Sequence, residues 1–170
     1  MTIQRLAILA IMTSFSLCAI AQEHQHDPAM HAQHQKEMNA RGEHAMGFSQ
    51  TETTHHFILL PDGGYVQVTA NRKEDSANIE HIRVHLIEIK KRFAAGDFSA
   101  PELTHAKVPP GVPQMQKLKT DITYNVELVE RGGQLHIASK NPQAVAAIHD
   151  FLKFQIEDHG TGDPLTIQEE

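Results

Sequence analysis

The sequence contains a single cysteine, Cys18, no tryptophan, and only 5% aromatic residues. Cys18 lies inside an apolar N-terminal segment that has the features of a cleaved export signal. A chain that has lost this segment carries no thiol, which excludes disulfide bonds, thiolate nucleophiles and cysteine metal sites. Any metal ion must then be held by histidine, methionine or carboxylate.

Positive charge and long apolar runs are also scarce. The chain has 15 Lys and Arg against 21 Asp and Glu, a formal net charge of -6. An acidic chain of this kind disfavours nucleic acid and anionic lipid as partners. Beyond the N-terminal segment, no run approaches the roughly 20 apolar residues that a membrane span requires. We expect a protein without a membrane span.

Residues 1–21 have the order of a secretory signal peptide. One positive charge, Arg5, precedes the apolar residues, and the segment closes on Ala19-Ile20-Ala21, a small-x-small cleavage pattern. Cleavage after Ala21 predicts a periplasmic or secreted protein. The residues before Cys18 lack the small side chain expected ahead of a lipidated cysteine, so a lipid anchor is the less favoured interpretation.

A histidine-rich and methionine-rich arm follows the predicted cleavage site. Residues 22–50 have too few large apolar residues to offset the entropy of ordering, so they predict a disordered or transiently helical segment. Imidazole and thioether groups together indicate transition-metal binding, copper first. The alternative is a solvated low-complexity tail without specific ligands. The candidate arm ligands are His24, His26, Met30, His31, His34, Met38, His44 and Met46.

The rest of the chain repeats one order of elements. Alternating apolar residues predict two strands joined at Gly63-Gly64, and helical spacing follows; the same order recurs around Gly132-Gly133. This predicts an α+β fold in which duplicated strand-strand-helix units form a four-stranded, largely antiparallel sheet with two helices on one face. The single domain covers residues 51–163, with halves 53–96 and 118–160 joined by a proline-rich loop. Residues 164–170 are expected to form a flexible tail.

Several histidines of this domain form a second candidate site. His81 and His85 are one helical turn apart, a spacing that can chelate a metal ion. The strand register places His55 inward, and we expect it to approach His85 and His149. His136 should face away from the helices, and His105 falls in the long loop, where only geometry decides. The candidate ligands are His55, His56, His81, His85, His149 and His159. The alternative for each is a surface histidine or a hydrogen-bonded core histidine.

Five segments resemble a family of small exported bacterial proteins of uncharacterised function. They are Met46 to Gln50, Thr53 to Phe57, Gly96 to Phe98, Val108 to Pro113 and Phe154 to His159. The resemblance covers residues 46–163 and implies one exported domain. Some members of that family carry the label aspartate carbamoyltransferase. This chain does not support it, because it lacks that enzyme's Ser-Thr-Arg-Thr-Arg phosphate-binding motif and its length.

Motifs of common enzymes are missing as well. The chain has no His-Glu-x-x-His zinc signature, no glycine-rich phosphate loop and no Gly-x-Ser-x-Gly elbow. The first hypothesis is therefore a periplasmic protein that binds, buffers or delivers metal, copper first and zinc next. The second is an envelope interaction or stress-response module that binds another protein. A small enzyme of unknown reaction comes third.

Overall fold

A computed structural model describes residues 28–169 of the chain. The predicted signal peptide and the arm residues His24 and His26 lie outside this part. The described residues form an α+β domain, as the sequence predicts, with five α-helices and one four-stranded antiparallel sheet. None of the helices in residues 28–169 combines the length and the apolar character that crossing a membrane requires.

The sheet consists of two hairpins. Strands β1 (Thr53–Leu60) and β2 (Gly63–Ala70) form the first, and β3 (Ile122–Val129) and β4 (Gly132–Ser139) form the second. The strand order is β1-β2-β4-β3, so the second strands of the two hairpins pair at the centre. The predicted alternation holds, because Phe57, Leu59, Val68 and Leu135 are buried on the face that the helices cover.

The register gives the sheet an approximate twofold axis. Val66 lies directly opposite Leu135 in the central antiparallel pair. These two residues also correspond to each other when the halves are aligned on Gly63-Gly64 and Gly132-Gly133. A residue that is paired with its own equivalent lies on the axis, so the repeat in the sequence is a symmetry of the sheet.

Two long helices cover one face of the sheet in a crosswise manner. Helix α2 (Ser76–Ala95) begins after the N-cap Asp75, whose side chain accepts the backbone N–H of Asn78, and ends at Gly96. Helix α5 (Pro142–His159) begins in the same way after Asn141. Helix α2 packs mainly on β3 and β4, whereas α5 packs mainly on β1 and β2. Each half therefore covers the hairpin of the other half.

The connection between the halves is folded, where the sequence predicts a long loop. It contains α3 (Ser99–His105), α4 (Val112–Lys117) and a short 3-10 turn at Lys119–Asp121. Gly111 has a positive φ of 79°, and a Cβ atom there would lie 2.0 Å from the carbonyl oxygen of Ala147. Only glycine therefore lets the connection approach α5 so closely.

Most of the described part of the arm forms helix α1 (Pro28–Met46). Its composition, by contrast, predicts a disordered or transiently helical segment. Long-range contacts account for the difference. Met38 is 1% exposed, the Arg41 side chain donates to the carbonyl oxygen of Thr104, and the Gln35 amide donates to that of Asp158. Composition does not reveal such contacts with a distant helix.

The C-terminal tail runs beside the edge strand β1. The backbone N–H of Gln168 donates to the carbonyl oxygen of Leu59 at 2.8 Å. Asp163 accepts the N–H of Phe57 at 2.9 Å and contacts Nδ1 of His56 at 2.8 Å. Asp163 and Gln168 thus hold the chain against β1, so that part of the predicted flexible tail protects the edge of the sheet.

Candidate functional site

A cavity of about 80 Å³ lies between the sheet and the two long helices. Its floor includes Val66, which stays partly exposed although it lies on the inner face of a central strand. The helices therefore leave a gap above the approximate twofold axis. Apolar side chains make up most of the wall. The apolar lining residues are Met46, Phe57, Val66, Val68, Leu86, Ile89, Phe93, Ala100, Pro101, Leu135 and Phe151.

Three of the ligands predicted within the folded domain line this cavity together. His55 comes from β1, His85 from α2, and His159 from the last residue of α5. The rings of His55 and His159 are stacked, with centroids 5.4 Å apart. Phe48, from the segment after α1, lies against the rings of His55 and His85, with centroid distances of 6.0 Å and 5.5 Å. His55 lies on the face that the helices cover, as the predicted strand register requires.

Burial keeps these three imidazoles neutral. It lowers the pKa of His55 to about 4, helped by the nearby His85 and His56. Burial also lowers the pKa of His85 to about 4, with Arg92 contributing. For His159 burial, His55 and His105 together lower the pKa to about 3, against the opposing charge of Asp158. At neutral pH each ring is therefore an uncharged base with an available lone pair, the form that binds metal ions.

His105 lies deeper in the same site and makes two short polar contacts. Its Nδ1 is 2.6 Å from a carboxylate oxygen of Asp158, and its Nε2 is 2.9 Å from the amide oxygen of Gln155. The carboxylate and the amide thus hold the ring from both sides. The ring also stands edge-on to His159, with centroids 5.0 Å apart. His105 therefore fixes the orientation of the groups around His159.

Asp158 joins the helix α1 to this site. Its carboxylate contacts Nε2 of His34 and Nζ of Lys107, each at 3.4 Å, in addition to His105. Burial works to raise the pKa of this carboxyl, but the hydrogen bond and charge of His105, with Lys107 and His34, bring the pKa below its usual value. Asp158 is therefore an anionic group at the edge of the site, where it contacts Lys107 and the His105 ring.

Two polar atoms of the cavity wall are buried without a hydrogen-bond partner in the described part of the chain. They are Nε2 of His55 and Nε2 of Gln155. Unpaired buried polar groups cost free energy and are therefore rare. Their presence in one cavity indicates a place where a further group is meant to bind.

The remaining predicted ligands of the domain do not join this cluster. His149 contributes no side chain to the cavity; its Nε2 donates to the carbonyl oxygen of Leu60, near the far end of β1, at 2.8 Å. His56 faces the opposite side of the sheet and pairs with Asp163. His81 is exposed on α2. The predicted convergence of His55, His85 and His149 is thus replaced by that of His55, His85 and His159.

The arm contributes one of its predicted ligands to the cavity. Met46 lines the wall, Met38 is buried, and His34 contacts Asp158. Met30 and His44 are exposed, and the structure describes only the backbone of His31. His136, as predicted, faces away from the helices, where its ring lies 5.2 Å from that of Tyr65.

Sequence reasoning gave little weight to His105 and did not single out Gln155 as a site residue. One signal was available. When the two long helices are aligned on their N-caps Asp75 and Asn141, the buried residues Ile89 and Phe93 of α2 match Gln155 and His159 of α5. Polar residues at positions that are apolar in the other copy mark the site.

The cavity does not form a closed metal site as it stands. Across residues 28–169, no group of three or more His, Cys, Asp or Glu side chains is close enough to hold a metal ion without rearrangement. The comparisons with protein-family models, curated proteins and solved structures each returned no match.

Proposed function

We propose that this is an exported protein that binds a transition-metal ion, copper first and zinc next, through His55, His85 and His159, with Met46 as a fourth ligand. The observation that carries the proposal is the convergence on one cavity of three partly buried histidines whose pKa values are lowered. Imidazole binds copper and zinc, whereas thioether favours Cu(I). The predicted signal peptide supports a periplasmic or secreted location, where exported proteins bind copper and zinc.

The distance between two of the rings, those of His55 and His159, is compatible with a shared ion. Two imidazoles that bind one ion at about 2.0–2.1 Å in tetrahedral geometry have ring centroids about 5 Å apart. His55 and His159 are 5.4 Å apart, but their planes are nearly parallel, at 14°. One ring must rotate before both lone pairs meet. The free Nε2 of His55 allows this rotation without breaking a hydrogen bond.

Surrounding residues would keep the ligands in place. Phe48 packs on His55 and His85, and His105 supports His159 from the side of Asp158. Groups around a metal site that orient the ligands commonly strengthen binding by 10- to 100-fold. Copper bound to these residues would be shielded by apolar side chains, which suits storage or delivery.

The test is a competition titration of the protein with Cu(I), Cu(II) and Zn(II) against a chelator of known affinity. We expect one equivalent to bind tightly, and we expect His55→Gln/His85→Gln to weaken binding by at least tenfold. His81→Gln is the matched control, because His81 is an exposed histidine on the same helix as His85. Unchanged affinity in the double variant would exclude this ligand set.

The arm is tested separately. Replacing His24, His26, His31, His34 and His44 by glutamine should remove weakly bound extra ions and leave the tight equivalent in place. If the tight equivalent disappears instead, the arm is the site and the domain is not. If neither site takes up metal, the alternative of an envelope protein that binds another protein becomes the leading hypothesis.

A further inference from the structure

The cavity offers one polar group that the proposed metal site does not use. Gln155 is only 4% exposed, and its amide nitrogen has no partner among residues 28–169, whereas its amide oxygen is bonded to His105. Apart from the histidines, the cavity wall has a second uncharged polar side chain, Thr104, which donates its hydroxyl to the carbonyl oxygen of Ala100 at 3.0 Å. The Gln155 N–H groups are therefore the available donors that do not belong to a proposed ligand.

The rest of the wall determines what kind of group can pair with this donor. Val66, Leu135 and Ile89 are among the apolar side chains of the cavity wall, and within residues 28–169 no Lys, Arg, Asp or Glu side chain lines the cavity. A charged organic group, unlike a metal ion that is coordinated by the histidines, would lose its hydration there without gaining an opposite charge, at a large cost in free energy. A neutral group with an acceptor atom avoids this cost.

We propose that the cavity binds a small uncharged organic molecule with an apolar body and one hydrogen-bond acceptor, which takes an N–H of Gln155. This inference goes beyond metal binding and requires no metal ion. The cavity of about 80 Å³ is smaller than the roughly 150 Å³ cavity that holds benzene. The ligand should therefore have about four or five non-hydrogen atoms, with the flexible Met46 adjusting the wall.

The unpaired donor predicts selectivity among molecules of one shape. A ligand with an acceptor pairs the buried N–H, whereas an apolar ligand of the same shape leaves it unpaired. Sites with buried polar groups reject ligands that cannot pair them. An anion of the same shape has acceptors but brings an uncompensated charge.

Acetone, isobutene and acetate form a matched set, because each is a planar molecule with four non-hydrogen atoms. Their binding is measured at neutral pH on the full-length, chelator-treated protein by NMR, from the methyl signals of Val66, Leu135 and Ile89. We expect acetone to bind with a millimolar Kd, near the limit for so few atoms. Isobutene should bind at least fivefold more weakly, and acetate should cause no saturable shift.

Two variants test the role of the named residues. Gln155→Met removes the amide and should reduce acetone binding to the level of isobutene. Val66→Ile narrows the floor and should weaken both ligands, whereas Val84→Ile, at an exposed position of α2, should change neither. Equal binding of acetone and isobutene, tighter binding of acetate, no binding at all, or an unaffected Gln155→Met variant would overturn the proposal. Because chelator is present, the result does not depend on whether the metal site exists.

Discussion

The approximate twofold axis relates two sets of side chains around the cavity that differ in chemistry. In the aligned halves, His55 corresponds to Tyr124, His85 to Phe151, and His159 to Phe93. The second group of three is an aromatic cluster in which Phe93 packs edge-on against Tyr124 and Phe151, with centroids 6.0 Å and 6.1 Å apart. The same scaffold therefore carries a histidine cluster in one region and an aromatic cluster in the other.

This difference separates stability from function. Aromatic side chains at these positions bury a large apolar area and form favourable edge-to-face contacts. Histidines at the equivalent positions provide less of that stabilisation, and their burial requires that the rings stay uncharged. The aromatic region is held by packing, although the Tyr124 hydroxyl is buried there without a partner among residues 28–169. The histidine region gives up apolar contacts at three positions.

The largest expected effect is a loss of stability in mild acid. The three histidines have folded pKa values of about 4, 4 and 3, below the ordinary 6.5. The unfolded chain binds their protons first, so their contribution is complete above pH 6.5 and is lost as the pH falls toward 4. Three such groups lower the free energy of unfolding by at most about 4 kcal/mol per pH unit. Urea unfolding at pH 7.5 and pH 5.5 measures this.

The matched variant for that experiment replaces two of the histidines by phenylalanine, so that the histidine cluster resembles the aromatic cluster. His85→Phe/His159→Phe leaves one of the three titrating rings, and the adjacent cavity gives room for the larger side chains. We expect the pH dependence of the unfolding free energy to fall to about a third. A variant with the same pH dependence as the natural chain would show that these rings do not control acid stability.

A smaller effect is expected from the reverse exchange. Phe93→His places an imidazole in the aromatic region, where it loses apolar contacts with Phe98, Tyr124 and Phe151. We expect a loss of about 3 kcal/mol at pH 7.5, within the range for truncation of buried aromatics. Thermal unfolding compared with the exposed variant Ile87→His measures it. Equal stability of the two variants would mean that the aromatic region tolerates histidine as well as the surface does.

The smallest effect concerns the edge strand that carries His55. Asp163→Asn keeps the size of the side chain but removes its charge and replaces by NH2 one of the two carboxylate oxygens, of which Oδ1 contacts Nδ1 of His56 and Oδ2 accepts the N–H of Phe57. We expect about 1 kcal/mol of destabilisation, together with faster amide exchange at Phe57. The control is Asp150→Asn, an exposed residue of α5. Unchanged exchange at Phe57 would show that the tail does not hold the strand.

Local patterns in the sequence predict the fold well, because the alternation in the strands and the spacing in the helices are short-range. They also place His55 on the inner face. The site required information that no local pattern contains. His149 and His159 lie on the same helix, and only the path of α5 across the other half's hairpin decides that His159 reaches His55. His105 belongs to a connection whose position depends on contacts with α5.

The crosswise packing of the helices makes the two halves mutually dependent. A half that was separated from the other would expose the inner face of its hairpin, and two copies could cover it only by exchanging helices. The proposed ligands divide in the same way, with His55 and His85 in the first half and His159 in the second. An ion bound to all three would act as a reversible cross-link between the halves, and metal supply would then set how firmly the domain stays closed.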